Sequence, residues 1–235
     1  MKGVILAGGE GTRLRPLTLV ANKHLLPIYN KPMVQFPVET LKALGINDIL
    51  IVTGGDKVGK FADYLGDGKE LGVNITYRVQ MKAGGIAHAL ALAKGFVGDE
   101  QFAVILGDNV FDNERMELPE LDERYACMYI KEVKDPERFG VVQYNEKGLI
   151  ESIVEKPTDP PSKDVVVGLY IYPADVFDFI DTLEPSARGE LEITDVNNHY
   201  LRDIRMTVKK FNGFWSDAGT FESLLTCANW VKGYE

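Results

Sequence analysis

The sequence predicts an α/β fold of three layers, in which helices cover both faces of a mixed, mainly parallel central sheet. In residues 1–124, short apolar runs alternate with amphipathic segments, a pattern typical of parallel strands joined by crossover helices. In residues 125–235, strand-like runs follow one another with few helices between them, which predicts a smaller lobe containing antiparallel strands. No linker rich in proline, glycine or serine separates the halves, so we expect a single unit of 235 residues.

The strands of the first half are expected where aliphatic residues cluster and glycines or polar turns follow. These clusters cover residues 3–7, 48–53, 73–79 and 102–106. Apolar residues at helical spacing predict a helix that begins at residue 31 and is stopped by Gly45. Further helices are expected near residues 61–65 and 87–96.

The second half has a different pattern, with more strands than helices. Strands are expected over residues 125–133, 140–144, 149–155, 165–172 and 206–211. The segment Asn145-Glu146-Lys147-Gly148 predicts a hairpin turn between two of them. Helices are expected over residues 173–183, 193–202 and 221–230.

A glycine-rich turn after the first strand is the strongest functional signal. Gly8, Gly9 and Gly11 allow a sharp turn in which backbone N–H groups approach a ligand closely. Arg13 follows at once, and Lys23 comes shortly afterwards. Cations that converge on a glycine-rich strand end predict a phosphate site.

Two better-known phosphate motifs are excluded. A dinucleotide fingerprint needs a third glycine where Leu14 stands, which argues against a dehydrogenase. A Walker loop needs Gly-Lys followed by serine or threonine, and that sequence does not occur.

Composition restricts the partners. The net charge is −9 and no basic block is present, which argues against a nucleic-acid partner. No apolar run approaches the ~20 residues of a membrane span, and no signal pattern is present, so we expect a cytoplasmic location without membrane attachment. Cys127 and Cys227 fit no metal-binding spacing and are expected to be reduced thiols.

Two aspartates are candidates for a metal site. Asp108 follows the strand over residues 102–106, so its carboxylate is expected to enter a cleft at the carboxyl ends of the strands. Asp217 lies in the polar segment Ser216-Asp217-Ala218-Gly219-Thr220. Two carboxylates that meet over a triphosphate suit Mg²⁺, a hard ion that prefers oxygen ligands. Taken singly, each aspartate could instead belong to a turn or a helix cap.

Several motifs, in order along the chain, agree with one family. The string Leu6-Ala7-Gly8-Gly9-x-Gly11-Thr12-Arg13-Leu14, with Lys23 and Leu26-Pro27, resembles the signature of sugar-1-phosphate nucleotidylyltransferases. Further matches are Leu106-Gly107-Asp108-Asn109, Glu155-Lys156-Pro157, Ala187-Arg188-Gly189-Glu190 and Trp215-Ser216-Asp217-Ala218-Gly219-Thr220. The resemblance covers residues 1–230 and implies a Rossmann-like fold of the nucleotide-diphospho-sugar transferase type.

The resemblance also implies a reaction. Members of this family transfer a nucleotidyl group to a sugar 1-phosphate, with Mg²⁺ as cofactor, and release pyrophosphate. The resemblance is strongest to members that use dTTP and glucose 1-phosphate, and it implies a homo-oligomer, either a dimer or a tetramer. UTP- or CTP-dependent transfer and a non-catalytic nucleotide-sugar sensor are the alternatives. In this scheme residues 1–124 form the nucleotide-binding half, and residues 125–235 form the sugar-binding lobe and closing helix.

Roles for individual residues follow from the same resemblance. It implies that the nucleotide is bound by Leu6, Gly8, Gly9, Gly11, Thr12, Arg13, Gln80, Gly85 and Asp108. It implies that the sugar phosphate is bound by Asn109, Gly140, Glu155, Lys156, Val166 and Arg188. Mg²⁺ is expected on Asp108 and Asp217, and the catalytic residues are expected to be Arg13, Lys23, Lys156 and Asp108.

The sequence departs from the common family pattern near the expected pockets. Gly84 stands where many members have aspartate, and both His24 and His88 stand where many have glutamine. Phe139 replaces a familiar tyrosine. Longer members continue beyond the position of Glu235, so we expect a short form that is inhibited by the pathway's end product only through competition at the active site.

Overall fold

The structure, a computed structural model, describes residues 1–55 and 58–234. Its strands are β1 (Lys2–Ala7), β2 (Pro27–Ile28), β3 (Lys31–Pro32), β4 (Asp48–Gly54), β5 (Asn74–Gln80), β6 (Phe102–Leu106), β7 (Asn109–Phe111), β8 (Ala126–Glu132), β9 (Gly140–Tyr144), β10 (Ile150–Glu155), β11 (Asp164–Tyr172), β12 (Met206–Lys210) and β13 (Trp215–Asp217). Its α-helices are α1 (Gln35–Ala43), α2 (Val58–Leu65), α3 (Ile86–Ala91), α4 (Lys94–Val97), α5 (Val176–Ile180), α6 (Ile193–Arg202) and α7 (Phe221–Tyr234).

The central sheet contains strands from both halves of the chain. Its main path is β10-β9-β11-β6-β1-β4-β5, while β8 pairs with β11 and β12 pairs with β8. Strands β6, β1, β4 and β5 run parallel, and β11 lies antiparallel to β6. The predicted mixed α/β sheet is confirmed, with the antiparallel strands of the second half extending it beyond β6.

Helices cover both faces of the sheet, which gives the three predicted layers. Successive residues of a strand point to opposite faces. In β1, Val4 and Leu6 therefore pack with apolar residues of α3 to α6, whereas Ile5 and Ala7 pack with α1 and α2. Both faces of β1 are buried, as expected for a central parallel strand.

A small two-stranded sheet lies outside the main sheet and was not predicted. Strands β7 and β13 pair in the antiparallel sense, with Asp217 opposite Asn109. A third apolar cluster supports it, in which Cys227 and Val231 of α7 pack near Val110. The pairing brings together two of the motifs that the sequence singled out as metal-binding.

Helix α1 begins later than predicted. Lys31 and Pro32 are extended because they form β3, which pairs with β2. Pro37 lies in the first turn of α1, where a backbone N–H has no intrahelical acceptor and its absence costs little. Gly45 follows the helix with a φ of +76°, which confirms the predicted stop. Among the described residues, no helix has the length and apolar character needed to cross a bilayer.

Candidate active site

Two clefts open at the carboxyl ends of the parallel strands, and they meet at Asp108. The first lies beside the glycine-rich turn after β1, and we call it the glycine cleft. The second lies among β10, β11, α6 and the small sheet, and we call it the lobe cleft. Asp108, Leu106 and Ile86 line both clefts. Ligands in the two clefts would therefore come together at Asp108.

The structure sorts most predicted site residues into these clefts. The glycine cleft is lined by Leu6, Gly8, Gly9, Gly11, Thr12, Lys23, Gln80, Gly85 and Asp108. The lobe cleft is lined by Asn109, Gly140, Glu155, Lys156, Val166 and Asp217. Arg13, which was expected with the nucleotide set, lines the lobe cleft at its boundary with Asp108. Arg188 is not among the residues that line either cleft.

The glycine-rich turn packs directly on the segment that carries Lys23. Gly11 has a φ of +68°, and a Cβ at this position would lie 2.8 Å from the Cβ of Lys23. Glycine is therefore required here both for the backbone conformation and for close approach. The contact fixes Lys23, which is buried, at the wall of the glycine cleft.

Asp108 directly follows β6, and both of its carboxylate oxygens are hydrogen-bonded. Oδ2 accepts a hydrogen bond from the Nζ of Lys23, and Oδ1 accepts one from the Nδ2 of Asn109 at 2.8 Å. Burial alone would raise the pKa of Asp108. The charges of Lys23 and His24, with these hydrogen bonds, instead hold that pKa well below its usual range. Asp108 therefore remains an anion at neutral pH.

Asn109 joins three elements around the site. Its Oδ1 accepts hydrogen bonds from the backbone N–H of Gly168 at 3.1 Å and from the indole Nε1 of Trp215 at 2.7 Å. Both partners are N–H donors, which identifies Oδ1 as the acceptor. Asn109, which follows Asp108 and begins β7, thus connects β7 to both β11 and β13. Its predicted role in sugar-phosphate binding stays a prediction.

Arg138 is a major component of the site that the sequence did not reveal. Its Nη2 donates to both carboxylate oxygens of Asp217, at 2.7 and 2.6 Å, and its Nη1 donates to Asp135 Oδ2 at 2.6 Å. Burial and the nearby charge of Asp108 raise the pKa of Asp217, against the opposing influence of Arg138. Arg138 is therefore the counter-charge of Asp217.

A gap beside Gly219 lies between these carboxylates. A Cβ at Gly219 would lie 2.6 Å from Asp217 Oδ2, 3.6 Å from Asp108 Oδ2 and 3.4 Å from Arg13 Nη2. The absent side chain therefore leaves a space bounded by two carboxylate oxygens and one guanidinium. No group of three or more metal-binding side chains occurs among the described residues. The donor set fits Mg²⁺, which commonly takes one or two carboxylates and completes its coordination with phosphate and water.

Glu155 lies at the end of β10, between two cations. Its Oε1 is 3.2 Å from the Nζ of Lys156 and 3.3 Å from Nη2 of Arg188, and its Oε2 accepts a hydrogen bond from Thr194. Lys156 has a φ of +42°, a conformation that costs a non-glycine residue about 1–3 kcal/mol and that is typical of functional sites. The strained backbone places Lys156 on the wall of the lobe cleft.

Arg188 is held mainly by carboxylates of its own loop. Its Nη2 lies 3.2 Å from Glu190 and 2.7 Å from Glu192, in addition to its contact with Glu155. Burial would raise the pKa of Glu192, but hydrogen bonds from Arg188 and Ser186 lower it instead. This arrangement satisfies the guanidinium within the protein, so the predicted phosphate contact of Arg188 stays a prediction.

The nucleotide side and the lobe side are linked through the backbone of Leu191. Its N–H donates to the carbonyl of Gly84 at 2.8 Å, and its carbonyl accepts from the N–H of Ala87 at 3.1 Å. Between these two residues, Gly85 has a φ of +95° and begins helix α3. The segment predicted to contact the base is therefore tied to the loop that holds Arg188.

His24 and Phe139, which were expected near the pockets as departures from the family pattern, line the glycine cleft and the lobe cleft respectively. Other lining residues were given no site role: Glu190 lines the glycine cleft, and Arg138 and Thr194 line the lobe cleft. The only signal in the sequence was their position inside segments that resemble family motifs.

Comparison with known proteins gives a consistent result. The sequence pattern of the nucleotidyl transferase family matches residues 2–232. Glucose-1-phosphate thymidylyltransferase of Neisseria meningitidis serogroup A is 43% identical over 238 residues, which covers 99% of this chain and 83% of the relative. The protein of the same name from Mycobacterium tuberculosis is 40% identical over 242 residues, which covers 100% of this chain and 83% of the relative.

Solved structures agree in fold as well as in sequence. A Bacillus anthracis protein assigned as a glucose-1-phosphate thymidylyltransferase and crystallised with sucrose has 45% identity and a TM-score of 0.89. That likeness covers 99% of this chain and 95% of the other. A UDP-glucose pyrophosphorylase in complex with UDP-glucose has 26% identity and a TM-score of 0.83, covering 100% and 99% of the chains. With the family pattern matched from residue 2 to residue 232, the chain belongs to the nucleotidyl transferase family.

Proposed function

We propose that the protein transfers a thymidylyl group from dTTP to glucose 1-phosphate, giving dTDP-glucose and pyrophosphate. The observation that carries the proposal is the meeting of the two clefts at Asp108, with Lys23 on one side and Arg13 on the other. The family membership and the names of the similar enzymes support the choice of substrates. In this proposal, residues 1–124 and 125–235 are the nucleotide and sugar halves of one domain.

The reaction needs placement and charge neutralisation more than proton transfer. A phosphate oxygen of glucose 1-phosphate attacks the α-phosphorus of dTTP, and the bond from that phosphorus to the bridging oxygen breaks. Pyrophosphate leaves with the electron pair. The attacking oxygen is already anionic at neutral pH, since the second pKa of a phosphate monoester is about 6. No general base is therefore required, and in-line positioning with electrostatic stabilisation supplies the catalysis.

The cations of the site divide between the two reactants. Lys23 lines the glycine cleft and would neutralise the triphosphate, while Arg13 stands where the two clefts join. Arg13 forms no ion pair with residues 1–55 or 58–234, so its guanidinium is available for a phosphate. Lys156 lines the lobe cleft and would hold the phosphate of the sugar, with Arg188 near it through Glu155.

Asp108 and Asp217 are the residues that would hold Mg²⁺. A bound Mg²⁺ would relieve the negative charge that builds up between two phosphate groups. Both oxygens of Asp217 are hydrogen-bonded to Arg138 in the present structure. Arg138 therefore keeps the second carboxylate neutralised and in position before substrate arrives.

Gln80 and the backbone at Gly85 would contact the pyrimidine. Gln80 ends β5 and is buried at the wall of the glycine cleft. Its amide can pair with the edge of thymine or uracil.

A pyrophosphate-release assay with several nucleotides and sugars tests the proposal. Pyrophosphate is measured with dTTP, UTP, CTP, ATP and GTP against glucose 1-phosphate and other sugar 1-phosphates, with Mg²⁺ or with EDTA. We expect the highest kcat/KM for dTTP with glucose 1-phosphate, slower turnover of UTP, and no turnover in EDTA. The variant Asp217→Asn tests the metal site, because an amide is a neutral and weaker ligand for Mg²⁺ than a carboxylate. We expect this variant to lose most turnover while remaining folded.

The outcomes separate the alternatives. Turnover of ATP or GTP at the rate of dTTP would contradict the assignment of the base pocket. Faster turnover of UTP or CTP would assign the protein to the uridylyl or cytidylyl branch. Nucleotide binding without any pyrophosphate release would favour the nucleotide-sugar sensor.

A further inference from the structure

The side-chain amide of Gln80 is held in one orientation by groups around it. Its Nε2 lies 3.4 Å from the carbonyl oxygen of Gly85 and 2.9 Å from the Nδ1 of His88. A carbonyl oxygen can only accept, so the Gln80 atom that faces Gly85 is the N–H donor. The same nitrogen donates its second hydrogen to His88. Nδ1 therefore accepts, which requires the tautomer with its proton on Nε2.

This arrangement directs the opposite atom of the amide, the carbonyl Oε1, toward the glycine-rich turn. A Cβ at Gly8 would lie 2.5 Å from Oε1, so the oxygen occupies space that only glycine leaves free. Gly8 and Gln80 both line the glycine cleft. Among the described residues, Oε1 accepts no hydrogen bond. Gln80 thus presents an acceptor, and not a donor, in the cleft.

The position of His88 depends in turn on Gly84. A Cβ at Gly84 would lie 2.5 Å from the Nδ1 of His88 and 2.9 Å from its Cγ. Real Cβ atoms do not approach other atoms so closely, and the imidazole would have to leave its present place beside Gln80. Gly84 and His88 are therefore a matched pair: the absence of a side chain at one position makes room for the ring at the other.

We propose that His88, seated against Gly84, is a positioning residue for base selectivity, because it reinforces the amide orientation of Gln80 that the carbonyl of Gly85 requires. This inference rests on the proposed function, since it places the base beside Gln80. Thymine and uracil carry an N3–H donor that matches Oε1, whereas cytosine has an acceptor at N3. With N3 of the base opposite Oε1, as this proposal places it, the fixed amide selects against cytosine, because the N3 lone pair of cytosine would face the lone pairs of Oε1.

Two variants at position 88 separate the hydrogen bond from simple packing. His88→Leu has a similar size but no acceptor, so the Gln80 amide keeps only the longer contact with the Gly85 carbonyl, at 3.4 Å, and rotates more easily to meet either base. His88→Asn keeps an acceptor near the place of Nδ1. The measurement is the dissociation constants of dTTP and dCTP by calorimetry, with Mg²⁺ and without sugar phosphate. We expect the dTTP preference to fall roughly tenfold in His88→Leu, as for loss of one hydrogen bond, and to be largely retained in His88→Asn.

A double-variant cycle tests the pairing with Gly84. Gly84→Ala should reduce the dTTP preference when His88 is present, because the new methyl group displaces the ring. In a His88→Ala background the same change should have no further effect, so the two changes should not be additive. Unfolding temperatures confirm that each variant is folded. If His88→Leu fails to fold, the cycle built on His88→Ala still tests the proposal.

The results distinguish this inference from the proposed function. An unchanged dTTP to dCTP ratio in folded His88→Leu, or additive effects in the cycle, would overturn the role of His88. Loss of the ratio in His88→Leu would support that role even if the unaltered protein released no pyrophosphate. Absence of pyrophosphate release would refute the proposed activity but not the role of His88 in base selectivity.

Discussion

Replacing Gly85 by alanine should damage both the fold and the nucleotide site. Gly85 has a φ of +95° and a ψ of 176°, a region that is nearly exclusive to glycine and costs other residues about 1–3 kcal/mol. The new Cβ would also lie 2.4 Å from the carbonyl oxygen and 2.7 Å from the nitrogen of Leu191. Both contacts are with backbone, which cannot rotate away, so relief requires moving the loop and adds about 1–3 kcal/mol.

We therefore expect Gly85→Ala to lower the free energy of unfolding by about 4 kcal/mol. For a protein of this size the loss corresponds to an unfolding temperature lower by about 8–16 °C. The KM for dTTP should rise as well, because the displaced segment carries the carbonyl that holds Gln80.

Gly95→Ala is the matched control. Gly95 lies in α4, is exposed, and has nothing within 4 Å of an added Cβ. A helix with alanine at an interior position is more stable than one with glycine there by about 0.5–1 kcal/mol, so this variant should unfold at a slightly higher temperature than the parent protein. Both variants are compared by thermal unfolding and by initial rates. An unfolding temperature of Gly85→Ala within about 2 °C of the parent would refute the steric reasoning, since that equals less than about 1 kcal/mol.

Three other predictions concern the metal gap, the cations and the thiols. Gly219→Ala should fill the gap between the carboxylates of Asp108 and Asp217 and abolish most Mg²⁺-dependent turnover. It should also abolish the rise in unfolding temperature that Mg²⁺ and dTTP together cause, and an unchanged rise would contradict the proposed Mg²⁺ site. Arg13→Ala should mainly raise the KM for dTTP and Lys156→Ala that for glucose 1-phosphate, and equal effects on both substrates would refute this division. Burial raises the pKa of Cys127 and Cys227 to about 12, so both stay protonated at pH 8. A disulfide reagent should label them no faster than the protein unfolds, and faster labelling would show that a thiol is accessible.

The parts of the fold that depend on local sequence were predictable. The apolar run of β1 is buried on both faces, and a continuous apolar run is typical of a central strand of a sheet that is covered on both sides. Helix α6 was predicted over residues 193–202 and occurs there, since its apolar spacing and acidic first turn are local features. Asp108 was predictable for a related reason: it is the first polar side chain after an apolar strand.

The parts that depend on distant partners were not predictable. Strands β7 and β13 have three residues each, too few for a periodic pattern, and each exists because the other pairs with it. Arg138 contacts Asp217 across 79 positions of the chain, and nothing in its neighbourhood reveals that partner. The expected helix over residues 87–96 is divided into α3 and α4, and between them the N–H groups of Leu92 and Ala93 bond to carbonyls three residues back instead of four.

The hydrogen bond from Trp215 to Asn109 joins residues 106 positions apart, so it can form only late in the synthesis of the chain. The strands around Asp108 leave the ribosome long before β13 exists. In the finished fold Lys23 is the counter-charge of Asp108, and because both residues precede β13 in the chain, this ion pair does not depend on β13 having been made. The second carboxylate arrives only after the long intervening loop has closed, which costs entropy and makes this a late step. A ligand that needs both carboxylates can therefore stabilise only the finished chain, and gives no assistance to its folding intermediates.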